Sequence, residues 1–306
     1  MKRVAVIDVG SNSVKYFLGE LHTGGTLKTI KDQNDIARLG EGLRETGLIS
    51  DDAMTRNAEA ITRFAADARA NGADKICCVG TMALRNAKNA ADLINRVQAD
   101  ANVMLTVIPG EEEARLSYLA VLSALGTEGD VVVFDTGGGS TEFIFGNGSD
   151  ITQRFSIDLG AIRITEKYFT DDPVAAGSVD NALAEILFDL EKGGVTGNPK
   201  QLVGIGGTVT SMGAVMHKMT TYNPDIIQGS ILSRAEVEKQ VSDYSAKTIE
   251  ARKNIPGLQP KRADVILAGA CILQAICTRL DALSIIISDR GLRHGLAYEQ
   301  LKEEVK

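Results

Sequence analysis

The chain has 306 residues, 33 Lys and Arg against 40 Asp and Glu, and a formal net charge of −7. That length suits about two domains of roughly 150 residues, each able to bury its own core. With 44% hydrophobic and 24% charged residues the composition is that of an ordinary globular protein. The acidic balance excludes a general nucleic-acid coat, and no apolar run reaches the ~20 residues of a membrane-spanning helix.

Met1-Lys2-Arg3 leads straight into a strand pattern and not into a signal peptide. Residues 4–20 (VAVIDVGSNSVKYFLGE) read as a strand, an Asp-x-Gly-x-x-Ser turn and a second strand. Residues 51–70 follow helical periodicity, with Ser50 or Asp51 as N-cap. A buried strand (KICCVGT), a helix near 86–99, a strand (VMLTVI) and a helix over 111–125 come next. Glycine and charge at 126–130 (GTEGD) mark a boundary that divides the chain into domains 1–127 and 128–306, with the last helix expected to pack back on the first domain.

The second half opens with residues 131–147 (VVVFDTGGGSTEFIFGN). Without gaps they match 4–20 at Val4/Val131, Val6/Val133, Asp8/Asp135, Gly10/Gly137, Ser13/Ser140 and Gly19/Gly146. A strand at 201–206, helices over 208–218, 234–250 and 262–280, and a strand at 283–288 follow. Strands alternating with helices predict α/β domains, and the hairpins make their sheets mixed. The long interval between the two copies suits two related domains.

In each hairpin an Asp ends a buried strand, where a carboxylate needs a partner or a metal. The Gly and Ser residues after it let several N–H groups converge on an anion. Two such turns, Gly10 to Ser13 and Gly137 to Thr141, would clamp phosphates, with Asp8 and Asp135 holding Mg²⁺ between them. The simpler account, hairpin turns that need glycine, weakens because the pattern occurs twice. A third glycine loop, Gly206-Gly207-Thr208, opens a helix and suits phosphate as well.

Glu111, Glu112 and Glu113 open a helix, where acids complement the helix dipole; one of them could instead act as a base. Glu142 stands where the first repeat has Lys15, so it is either a water-orienting carboxylate or a solvated strand residue. Lys15, Arg38, Arg85, Arg262, Arg290 and Arg293 are the basic candidates for an anionic ligand, each alone readable as a surface ion-pair residue. The four cysteines lack CxxC spacing and the three histidines form no zinc pattern, so the cysteines read as buried hydrophobes of a reducing, cytoplasmic protein.

The chain resembles the exopolyphosphatase / guanosine pentaphosphate phosphohydrolase family, within the actin-, hexokinase- and heat-shock-ATPase-like superfold. The matching stretches are IDVGSNSVK (7–15), ARLGEGL (37–43), VGTMALRNAKN (79–89), IPGEEEARLSYLAV (108–121), VFDTGGGSTEF (133–143), GIGGT (204–208), ADVILAGACIL (263–273) and SDRGLRHG (288–295). The resemblance implies two ribonuclease-H-like domains with an interdomain cleft and metal-dependent hydrolysis of terminal phosphoanhydrides. It implies Glu113 as catalytic base, with Asp135 and Glu142 on Mg²⁺ and Glu142 also placing the water. Gly10, Ser11, Asn12 and Ser13 match its first phosphate loop beside Asp8; Gly137, Gly138, Gly139, Ser140 and Thr141 match the second, and Gly206, Gly207 and Thr208 the third. Lys15, Arg85 and Arg262 are the basic substrate ligands taken with them.

The departures are Met82 where many relatives have Ser, Lys15 where most have Arg, and His294 where the usual motif has Glu. They bear on substrate preference. Longer relatives carry C-terminal helical domains, and the resemblance leads to the expectation of a short form without them. The expected activity is release of orthophosphate from inorganic polyphosphate with Mg²⁺, Mn²⁺ being the second candidate and a monovalent cation undecided. Hydrolysis of guanosine pentaphosphate or a nucleoside triphosphate, and a non-catalytic alarmone or polyphosphate sensor, are the alternatives. A kinase would need a catalytic Asp that is not found. A homodimer is the expected protein partner, or a signalling partner under the sensor alternative; nucleic acid and membrane are not expected.

Overall fold

The structure, a computed structural model, describes residues 2–22, 27–126 and 129–303. Residues 127 and 128, where the sequence places the domain boundary, lie outside them. The chain divides into two units, Met1–Ala124 with Arg290–Lys306, and Leu125–Asp289.

In the first unit β1 (Arg3–Val9), β2 (Val14–Leu21) and β3 (Leu27–Asp35) form an antiparallel meander. α1 (Leu43–Thr46) and α2 (Asp51–Ala70) lead to β4 (Lys75–Gly80), then α3 (Met82–Asn86) and α4 (Ala90–Ala101) to β5 (Leu105–Val107), and α5 (Gly110–Leu125) closes this stretch. The sheet order is β3-β2-β1-β4-β5, with β4 and β5 running parallel to β1.

The second unit repeats the plan. β6 (Asp130–Thr136), β7 (Thr141–Asn147) and β8 (Asp150–Ile157) form its meander, followed by α6 (Ala161–Tyr168), α7 (Ser178–Lys192), β9 (Gln201–Ile205) and α8 (Gly207–Met216). Then come α9 (Pro224–Ile227), β10 (Ile231–Ser233), α10 (Arg234–Ser245), α11 (Ile249–Arg252), α12 (Ile266–Arg279) and β11 (Ser284–Ser288), in sheet order β10-β11-β9-β6-β7-β8. α13 (Leu292–Glu303) belongs to the first unit, where it packs on β1 and β2.

Between Arg3 and Asp8, β1 is an unbroken apolar run because both its faces are covered. Ala5, Ile7 and Val9 join one core with Ile61 and Phe64 of α2, and Val4 and Val6 join another with Leu296 and Leu301 of α13. Burying Ile61 and Phe64 contributes about 1.5–3 kcal/mol each. α2 starts at Asp51 because the Ser50 hydroxyl accepts from the Ala53 N–H at 3.3 Å, and Asp51 and Asp52 complement the dipole. In the second unit α12 is buried on nearly all sides, which matches its unbroken ILAGACILQAIC sequence.

Some boundaries differ from the sequence expectation. The helix expected near 86–99 starts at Ala90, because Asn89 is held by the Ile49 backbone, accepting its N–H and donating to its carbonyl, both at 2.9 Å. The helix expected over 234–250 breaks after Ser245, where Thr248 caps a new turn by accepting from the Ala251 N–H. Pro260 opens a separate 3₁₀ turn, so the helix expected from 262 begins at Ile266.

Candidate active site

The two hairpins are alike in detail. The Gly10 N–H donates to the Ser13 carbonyl at 3.0 Å, and the Gly137 N–H donates to the Ser140 carbonyl at 2.9 Å. Both β2–β3 and β7–β8 shift register next to the aligned glycines, between Leu18 and Gly19 and between Phe145 and Gly146. Behind the first loop, the Ser11 and Asn12 carbonyls accept from the Gly40 and Arg38 amides at 2.8 and 2.9 Å. Behind the second, the Gly137 and Gly138 carbonyls accept from Ala161 and Ile162 at 3.0 and 2.9 Å. Gly10 and Gly137 thus use their N–H groups to close the turns. The amides of Ser11, Asn12, Gly138 and Gly139 have no protein partner among the described residues, which is the equipment of an anion-binding loop.

The charges beneath the loops differ. Asp8 pairs in register with Lys15, its Oδ2 3.7 Å from Nζ. Asp135 pairs in register with Glu142, and Glu142 with Ser156 on β8. The Ser140 and Ser156 hydroxyls both donate to Glu142 Oε1, at 2.6 and 2.9 Å. Two carboxylates on neighbouring strands supply hard oxygen donors. One or two carboxylates with water and substrate oxygens are the usual ligands of Mg²⁺, so this pair fits that ion; no group of three or more His, Cys, Asp or Glu placed to hold a metal stands among the described residues.

The third loop gives way to side chains. A Cβ on Gly206, whose φ is +85°, would collide with the Asp135 carboxylate, and one on Gly207 would overlap the Arg262 guanidinium. Burial lowers the pKa of Arg262, and the charge of Asp135 opposes that shift. Thr208 donates its hydroxyl to the Thr136 carbonyl at 3.1 Å, tying this loop to the second hairpin. Thr141 is fully buried and donates to the Leu159 carbonyl at 2.6 Å, so its side chain supports the loop from behind.

In the first unit Glu113 lies in the first turn of α5. Arg85, from the end of α3, donates from Nη1 to Glu113 Oε2 at 3.0 Å and to the Ile108 carbonyl at 2.8 Å. Glu112 instead joins an ion network with Arg115 and Glu299. The structure therefore separates the adjacent acids: Glu112 holds Arg115, which ties α5 to α13 through Glu299, while Glu113 faces Arg85. Arg85, expected as a substrate ligand, holds the candidate base. Ser156 was not among the expected residues, because only the strand register places it against Glu142.

Paired anion-binding loops, opposed carboxylates and a clamped glutamate, carried on two related α/β units, define a protein that works on phosphoryl groups. The chain belongs to the Ppx/GppA phosphatase family, whose model matches residues 5–304. It is 30% identical to Exopolyphosphatase 2 of Mycobacterium tuberculosis over 97% of this chain and 98% of that protein. It is 31% identical to the guanosine-5′-triphosphate,3′-diphosphate pyrophosphatase of Photobacterium profundum, over 98% of this chain and 59% of that protein. It is 29% identical to a bifunctional 3-dehydroquinate synthase/phosphatase of Fusobacterium nucleatum, of which it spans about half, 47%. Among solved structures, the Aquifex aeolicus Ppx/GppA family member superposes with a TM-score of 0.91 at 31% identity, covering 100% of this chain and 99% of that one. An exopolyphosphatase from Cytophaga hutchinsonii superposes with a TM-score of 0.83 at 26% identity, covering 99% of this chain and 98% of that one.

Proposed function

We propose that this protein is an exopolyphosphatase that hydrolyses the terminal phosphoanhydride of inorganic polyphosphate and releases orthophosphate. The observation that carries this reading is the Arg85–Glu113 pair, a carboxylate with one oxygen fixed at the start of a helix. Glu113 takes the proton of the attacking water, a contribution typically of about 10²–10⁴-fold. The Ser11, Asn12, Gly138 and Gly139 amides bind phosphate oxygens and stabilise the charge of the transferring group. Glu142, steadied by Ser140 and Ser156, orients the water. Mg²⁺ held by Asp135 and Glu142 would offset charge on the phosphate oxygens, with Mn²⁺ as the substitute.

Similarity to an exopolyphosphatase over nearly the whole length of both chains supports polyphosphate as substrate. Similarity to a guanosine-5′-triphosphate,3′-diphosphate pyrophosphatase supports guanosine pentaphosphate as the second reading, on the same groups. A cytoplasmic setting, a homodimer and the lack of nucleic-acid or membrane partners belong to this proposal. Cys78, Cys271 and Cys277 are buried, and burial pushes the last two thiols up to about 12, as suits unreactive core residues. No helix among the described residues is long and apolar enough to cross a membrane. The experiment is orthophosphate release from polyphosphate of defined length and from guanosine pentaphosphate, each with and without Mg²⁺. A higher kcat/KM on polyphosphate is expected; a strong preference for the nucleotide would make the second reading the right one.

A further inference from the structure

Of the six basic residues near the loops and strand ends, five are already engaged. Lys15 pairs with Asp8, Arg85 with Glu113 and Arg293 with Asp32; Arg290 donates to the Leu27 carbonyl, and Arg262 lies in the field of Asp135. Arg38 differs. It is exposed, and its guanidinium has no hydrogen-bond or ion-pair partner among the described residues.

Its backbone is held in the left-handed region, at φ +47°, where a residue other than glycine persists only when its surroundings fix it. They do so here. The Arg38 N–H donates to the Asn12 carbonyl at 2.9 Å, and the Gly40 N–H to the Ser11 carbonyl at 2.8 Å. The Ala37 carbonyl accepts from Asn57 Nδ2 at 3.1 Å and Arg56 Nε at 3.3 Å. Segment 37–40 is thereby fastened to the first phosphate loop. Together they line a recess of about 360 Å³ formed by Ser11, Asn12, Arg38, Gly40 and Glu41. Glu41 is already paired with Arg56 at 2.8 Å, which leaves the charge of Arg38 uncompensated in the recess.

We propose that Arg38 is a further substrate-binding residue, whose guanidinium takes a phosphate oxygen of the ligand beyond the anhydride being cleaved. This rests on the phosphatase reading above. A planar, two-pronged donor suits phosphate, and the fixed backbone roots the side chain beside the first phosphate loop. It does not touch the reacting atoms, so it sets affinity and not the chemical step.

Arg38→Asn tests this directly, because asparagine tolerates the left-handed backbone and only the guanidinium is lost. Equilibrium binding of polyphosphate in metal-free buffer is compared between wild type and variant, with KM and kcat in Mg²⁺ on polyphosphate and on guanosine pentaphosphate. Dissociation constant and KM should rise about tenfold, the scale of one charge-assisted hydrogen bond, with kcat within about twofold and the thermal midpoint kept. Arg38→Lys should recover only part of the affinity. Loss confined to polyphosphate assigns the contact to the chain, and loss confined to the nucleotide assigns it to the 3′-diphosphate. Unchanged affinity for both overturns the proposal. Should the wild type hydrolyse neither substrate, the phosphatase reading fails, while the metal-free binding comparison still decides the role of Arg38.

Discussion

Asp8 and Lys15 face each other in register across β1 and β2, 3.7 Å from Oδ2 to Nζ, at the place where the second repeat sets Asp135 opposite Glu142. The first hairpin therefore carries its own cation beside a nearly buried carboxylate, and the second brings two carboxylates together. Two opposed acids repel each other and favour added positive charge, of which Arg262 beside Asp135 supplies part; an Asp–Lys pair is already balanced. Metal dependence should follow this asymmetry. Asp135→Asn should raise the Mg²⁺ concentration for half-maximal activity at least about tenfold, and Asp8→Asn by less. A Mg²⁺ titration of both variants checks it, and an equal shift in the two would make Asp8 a metal ligand of the same rank.

Ser156 touches Glu142 and has no other assigned role. Ser156→Ala removes one of two hydroxyls that hold Oε1, leaving a carboxylate that turns more freely. Activity or Mg²⁺ affinity should fall about tenfold, the usual scale for a residue that orients a metal-binding carboxylate, with little change in thermal stability. Initial rates across a Mg²⁺ series measure this.

Gly206 is required twice over, by its φ of +85° and by the Asp135 carboxylate lying where a side chain would go. Gly206→Ala should cost about 1–3 kcal/mol of stability from the backbone alone and displace Asp135 from Glu142. Thermal unfolding and turnover report the two effects separately.

The sequence showed the pattern of the repeat but not every strand. β3, β8 and β10, which it did not predict, are all sheet-edge strands. Edge strands such as KTIKDQND and ITQRFSI face water on one side and alternate irregularly, so they read as loops. The hairpins, with both faces of their first strand buried, were legible from apolar runs and Asp-x-Gly-x-x-Ser alone. The contacts of the candidate site were less so. Neither the Arg85–Glu113 pair nor the Ser156–Glu142 bond follows local periodicity, because each joins elements brought together by long-range packing. His294 illustrates the same gap: it read as a lost carboxylate and is a buried anchor. It packs against Phe17 and accepts the Gly291 N–H on Nδ1, so Nε2–H donates to Asp32 at 2.9 Å.

That anchor gives stability a pH dependence. Burial lowers the His294 pKa to about 4, with the charge of Arg293 adding to the shift and the Asp32 hydrogen bond opposing it. Burial pushes Asp32 up, but His294 and Arg293 outweigh it and hold its carboxyl below the ordinary range. Between pH 6.5 and 4 the unfolded chain binds a proton that folded His294 refuses, so its contribution is full above about 6.5 and declines as pH falls toward 4. Asp32 adds a loss at still lower pH. Wild type should lose on the order of 3 kcal/mol across the histidine window, and His294→Gln should flatten that slope. Urea unfolding at a series of pH values measures both.

Glu113 as the base fixed by Arg85 is the central claim, and Glu113→Gln tests it most directly because the amide keeps the shape and loses the proton acceptor. Orthophosphate release from polyphosphate should fall at least about 10²-fold in kcat, with metal-free polyphosphate binding within a few-fold of wild type. Turnover near the wild-type rate would contradict it.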